Sequence, residues 1–64
     1  MSPLAEVLVA ELAERPRQFG ELVEAHMQTP WREFLLAWGE VRAADVLGRD
    51  DEGRYLVRAA AASR

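Results

Sequence analysis

Apolar residues recur at helical spacing in three successive stretches and then alternate in a fourth. Leu4, Leu8 and Leu12, with Ala5 and Val9 beside them, form one stripe and predict a first helix over about residues 3–15. Ser2-Pro3 suits its start, because proline lacks the N–H that a first helical turn leaves unbonded. Glu6 fits the first turn, Arg15 fits the last, and Pro16 ends the helix by forcing the residue before it out of the α region. Phe19, Leu22, Val23 and Met27 keep the same period over about residues 19–27, with Glu21 and Glu24 outward. Thr29-Pro30 repeats the cap-plus-proline signal and opens a third helix over about residues 30–44. At 100° per residue Trp31, Phe34, Leu35, Trp38 and Val41 share its inward face, so both indoles are expected in the core. Gly39 in its interior costs about 1 kcal/mol relative to alanine, which either chance or close approach of another element or chain explains.

The fourth stretch, about residues 46–58, reads as a β-hairpin. Asp50 suits the first position of a turn, and Gly53 supplies the left-handed residue of a three-residue loop with a bulge. That register sets Asp50 opposite Arg54, whereas a four-residue loop would set Arg49 against Arg54. Leu47, Tyr55 and Val57 then face inward, and Arg54, Leu56 and Arg58 outward. Residues 59–64 carry no stripe and are expected to fray. The fold class is mostly α with a C-terminal β-hairpin, a three-helix winged-helix-like arrangement in one domain spanning residues 1–64.

Composition narrows the function. Sixty-four residues, half of them hydrophobic, make one small core without room for an enlarged catalytic pocket. The absence of cysteine excludes disulfides and thiolate metal sites. The longest strongly apolar run, Phe34 to Trp38, falls far short of the ~20 residues that span a bilayer. Met-Ser-Pro-Leu-Ala-Glu has no basic n-region, so no signal peptide is read and a cytoplasmic location is expected. Every basic residue is arginine, which either reflects a GC-rich coding bias or a use for forked donors. Residues 1–28 hold two arginines against five glutamates, whereas residues 29–64 hold six of each sign. The net charge of −3 is a poor basis for sequence-independent nucleic-acid affinity.

Leu12-Ala-Glu-Arg-Pro16, the short Phe19-Gly-Glu-Leu-Val23 segment, Thr29-Pro-Trp31 and the Gly48-to-Tyr55 hairpin follow one another as in a winged helix. From about Leu4 to Val57 the chain resembles the winged helix-turn-helix family of small bacterial regulators. That resemblance implies a third helix in the major groove and a wing on the phosphate backbone. The groove-facing positions would be Arg32, Glu33, Leu36, Ala37, Glu40 and Ala43, of which only Arg32 is basic. Arg49 and Arg54 fit the wing, but Asp50, Asp51 and Glu52 at its tip offset them.

Two readings follow. In the first, Glu33, Leu36, Ala37 and Glu40 form an apolar contact with a polar rim, for a protein partner or for self-association. In the alternative, the chain is a DNA-binding transcriptional regulator whose contacts are Arg32, Arg49, Arg54 and Arg58, with Glu33 accepting from a cytosine amino group. Neither uses a catalytic residue, cofactor, metal or small-molecule substrate. His26, the lone histidine, has no neighbours in sequence that suggest chemistry and is read as structural. The glycines form no phosphate-cradling loop, and Asp50-Asp51-Glu52 lacks the spacing of a calcium site.

Overall fold

The structure, a computed structural model, describes residues 1–58; the expected fraying of residues 59–64 lies outside them. Helix α1 spans Pro3–Glu14, α2 Phe19–Ala25 and α3 Trp31–Ala43, and strands β1 (Leu47–Arg49) and β2 (Tyr55–Val57) pair antiparallel. Three helices followed by a hairpin is the order that the apolar pattern predicts.

Ser2 is extended, and its hydroxyl accepts the Ala5 N–H at 3.2 Å, closing the start of α1. At the other end Arg15 is extended ahead of Pro16, so it lies beyond the last turn rather than in it. Arg17 takes over the role expected of Arg15. Its Nε donates to the Glu11 carbonyl at 3.1 Å and its terminal nitrogen meets Glu14 at 3.2 Å, placing positive charge at the helix C-terminus.

Helix α2 begins where the Gln18 backbone N–H donates to the Glu21 carboxylate at 3.0 Å. It ends at Ala25, because His26 has left helical geometry and its carbonyl holds the Thr29 N–H at 2.9 Å. That turn also displaces the expected start of α3. Thr29 does not cap; Pro30 is the last extended residue, and its carbonyl accepts the Phe34 N–H at 3.0 Å.

The hairpin follows the three-residue-loop register. Leu47 pairs with Val57, Gly48 with Leu56 and Arg49 with Tyr55, while the Asp50 N–H donates to the Arg54 carbonyl at 3.0 Å. Gly53 sits at φ 80°, and Asp50 Oδ1 accepts the N–H groups of Glu52 and Arg54, each at 2.9 Å. Arg17 adds a rung that the sequence did not announce. It exchanges both backbone hydrogen bonds with Tyr55, at 2.9 and 2.6 Å, so the α1–α2 connection lies beside β2.

The core gathers Ala5, Leu8, Leu12, Leu22, Phe34, Ala37, Trp38 and Val41, with Phe19, Leu47, Tyr55 and Val57 packed against it. Trp38 is its hub: Phe19 lies 5.3 Å away between ring centroids, and Tyr55 meets it edge-on at 5.0 Å.

Trp31 departs from the expectation of two inward indoles. It is 54 % exposed, and Leu35 is 42 % exposed. The buried face of α3 is Phe34, Ala37, Trp38 and Val41, whose mean direction lies roughly 70° from Trp31 at 100° per residue. Helix α3 is thus rolled toward Ala37, which carries Trp31 and Leu35 to the shoulder. There the Trp31 indole stacks on Phe34, 5.7 Å between centroids with planes 12° apart, instead of inserting beneath it.

Candidate functional site

The roll of α3 decides what its outer surface offers. Directly opposite the core lie Arg32, Leu36, Gly39 and Ala43, a line spaced four, three and four residues apart, and all four are exposed. Leu36 is its apolar centre at 61 % exposure. Gly39 stands in open space: a Cβ built there would meet nothing within 4 Å, so packing inside the chain does not require glycine.

One shoulder of this line is apolar, made by Trp31 and Leu35 with Met27 beyond them; Met27 is 75 % exposed. The other shoulder carries Glu33 and Glu40. Glu33 is exposed in the first turn of α3, where a carboxylate suits the helix dipole. Glu40 is committed to the fold, because its Oε1 accepts the Ser2 backbone N–H at 2.7 Å. That hydrogen bond holds the Glu40 carboxyl below the usual carboxylate range. Ala37 does not join the face. It is 2 % exposed, buried by the same roll that exposes Leu35, and is a core residue rather than the contact residue that the sequence predicts. Glu33, Leu36 and Glu40, with the buried Ala37, line a shallow cleft of about 280 Å³ together with Ser2, Pro3 and Leu4.

The four arginines of the DNA reading are not alike. Arg32 is exposed and has no carboxylate within salt-bridge distance among the described residues. Arg49 lies with its guanidinium 4.6 Å over the Tyr55 ring centre. Arg54 is taken up at the wing by Asp50, 2.7 Å from Nε, and by Glu52 at 3.6 Å. The backbone N–H of Arg54 lowers the Asp50 carboxyl below its ordinary range, and the hydrogen bond that the Arg54 side chain donates to Asp50 raises the guanidinium in turn. Arg58 donates to the Asp45 carbonyl and sits 3.5 Å from its carboxylate. Its aliphatic stem crosses Gly48 so closely that a Cβ there would lie 2.8 Å from Arg58 Cγ. Of the four, Arg54 and Arg58 are therefore engaged by carboxylates within the chain and Arg49 by an aromatic ring.

The sequence did not show a contact between the first two helices. His26 Nε2 lies 3.0 and 3.2 Å from the two Glu11 carboxylate oxygens, and both side chains are partly buried. Fifteen positions separate them, and no local motif links them; only the tertiary fold brings them together. Beside this pair an apolar hollow of about 450 Å³ opens between Val23, Met27, Pro30, Trp31 and Phe34.

Comparison with protein-family models, curated proteins and solved structures finds no match to the chain. Among the described residues no helix is long and apolar enough to cross a membrane. No group of three histidine, cysteine or carboxylate side chains is placed there to hold a metal ion.

Proposed function

We propose that the protein is a non-enzymatic, winged-helix-like interaction module of the cytoplasm, which meets a protein partner or a second copy of itself through the outward face of α3. The observation that carries this reading is the line Arg32, Leu36, Gly39 and Ala43. It has a leucine at its centre, a glycine that the chain's own packing does not need, and a tryptophan–leucine shoulder. Exposed leucines are ordinary one at a time. Here Leu35 and Leu36 adjoin, Trp31 precedes Leu35 by one helical turn, and the alanine and glycine allow another backbone to approach closely. A central apolar contact with charged edges is the usual anatomy of a protein interface.

The winged-helix reading draws support from the element order and from the Arg17–Tyr55 rung, which adds a third strand position to the hairpin. The DNA-binding alternative draws less. Arg54 and Arg58 are engaged by Asp50, Glu52 and Asp45, and Glu33 stands on the face that would meet phosphates. Leu36→Asp is the direct test. It removes no core contact, so it should leave the fold intact and dissolve any complex the wild-type chain forms. A complex that survives the substitution contradicts the proposal.

A further inference from the structure

Where the end of α3 meets the hairpin, a cleft of about 260 Å³ is lined by Arg42, Asp45, Leu47, Arg49 and Tyr55. The chain has eleven acidic residues against eight basic ones, so carboxylates are not scarce. Arg17 and Arg58 each have one, and Arg54 has two. Arg42 and Arg49 have none within salt-bridge distance among the described residues, yet they line the same hollow. The one acidic lining residue, Asp45, has its carboxylate 3.5 Å from Arg58.

Arg49 is also held in place. Its guanidinium lies 4.6 Å over Tyr55, and Tyr55 is fixed by its T-shaped packing with Trp38 and by its two backbone bonds to Arg17. A forked donor stacked on an anchored ring loses less freedom when it binds. Leu47 supplies an apolar wall beside it.

We propose that this cleft binds a small oxyanion group, a carboxylate or a phosphate, gripped between Arg42 and Arg49. The forked donors match the paired oxygens of either group. The hollow is smaller than the ~300–1,000 Å³ of whole-ligand sites, so it takes the charged end of a ligand rather than a complete cofactor. The carbonyl end of α3 places partial negative charge nearby and opposes an anion, which keeps the affinity modest, with Kd on the order of 1 mM. This site is separate from the α3 face proposed above and does not rest on it.

The test is a titration of the isotope-labelled full chain with sodium phosphate and, separately, with sodium acetate. Sodium chloride holds the ionic strength constant, and the arginine Nε–H and backbone amide signals are followed. Saturable shifts at Arg42, Arg49 and Tyr55 are expected, and the anion with the tighter half-point identifies the preferred source. Arg42→Gln, at an exposed side chain that makes no hydrogen bond or ion pair among the described residues, should weaken binding at least about fivefold without disturbing α1 signals. Arg49→Lys, which keeps the charge but not the fork, should weaken it as well. Linear shifts equal to those from chloride, or saturable shifts that survive Arg42→Gln, overturn the proposal.

Discussion

Glu40, three-quarters of the way along α3, accepts the backbone N–H of Ser2 at 2.7 Å. The carboxylate thereby ties the outward helix to the residue that caps α1. Because this bond holds the carboxyl of the folded chain below its ordinary range, it contributes stability at pH values above that range. The contribution is lost as pH falls through the lowered folded-state value. Glu40→Ala should melt earlier than wild type at neutral pH, and the gap should close in acid. Thermal denaturation followed by circular dichroism across pH 2–7 checks both parts; a gap that widens on acidification contradicts the assignment.

Gly53 holds φ at 80° in the hairpin loop, a conformation that side-chain-bearing residues adopt at a cost of about 1–2 kcal/mol. Gly53→Ala should lose roughly that much stability in urea denaturation. A neutral result would mean that the loop relaxes to another turn.

His26 and Glu11 join the end of α2 to the last turn of α1 with both groups partly buried. Removing one leaves the other without its partner, which costs about 1–3 kcal/mol. A double-mutant cycle with His26→Ala and Glu11→Ala should therefore be non-additive, the second removal costing much less than the first. Additive losses would show that the pair is not coupled.

The two indoles occupy different surroundings, and fluorescence separates them. Trp38 is 7 % exposed at the core hub, and Trp31 is 54 % exposed on the shoulder. Trp31→Phe should leave the blue-shifted emission of a buried indole, and Trp38→Phe the red-shifted emission of a wetted one. Truncating Trp38 to alanine should cost about 3–5 kcal/mol, in line with other large core deletions.

The stripe Leu4, Leu8 and Leu12 carried α1 plainly, because a stripe against one core is what periodicity measures. Asp50 and Gly53 carried the hairpin register, since only one loop length puts Asp50 against Arg54 and leaves a glycine at positive φ. Trp31 departs from its expected place because periodicity fixes relative angles within a helix but not its roll against a neighbour. Phe34, Ala37, Trp38 and Val41 make as good a face as the one through Trp31 and Leu35. Size favoured the tryptophan, whereas packing selected the alanine. The same roll removed Ala37 from the candidate contact and left Leu36 in it. His26–Glu11 and Arg17–Tyr55 were illegible for another reason: they are long-range pairs created by chain reversal, with no spacing to mark them.

The central claim is that the contact surface lies on the outward face of α3 and not on the wing. Amide spectra of the labelled chain, recorded across protein concentration and then with a mixed-sequence DNA duplex at low salt, test it most directly. Shifts centred on residues 32, 36, 39 and 43 that grow with concentration, vanish in Leu36→Asp and are absent on adding duplex are the predicted result. Shifts at Arg32 and residues 49–58 on adding duplex, with none at α3 as concentration rises, would contradict it.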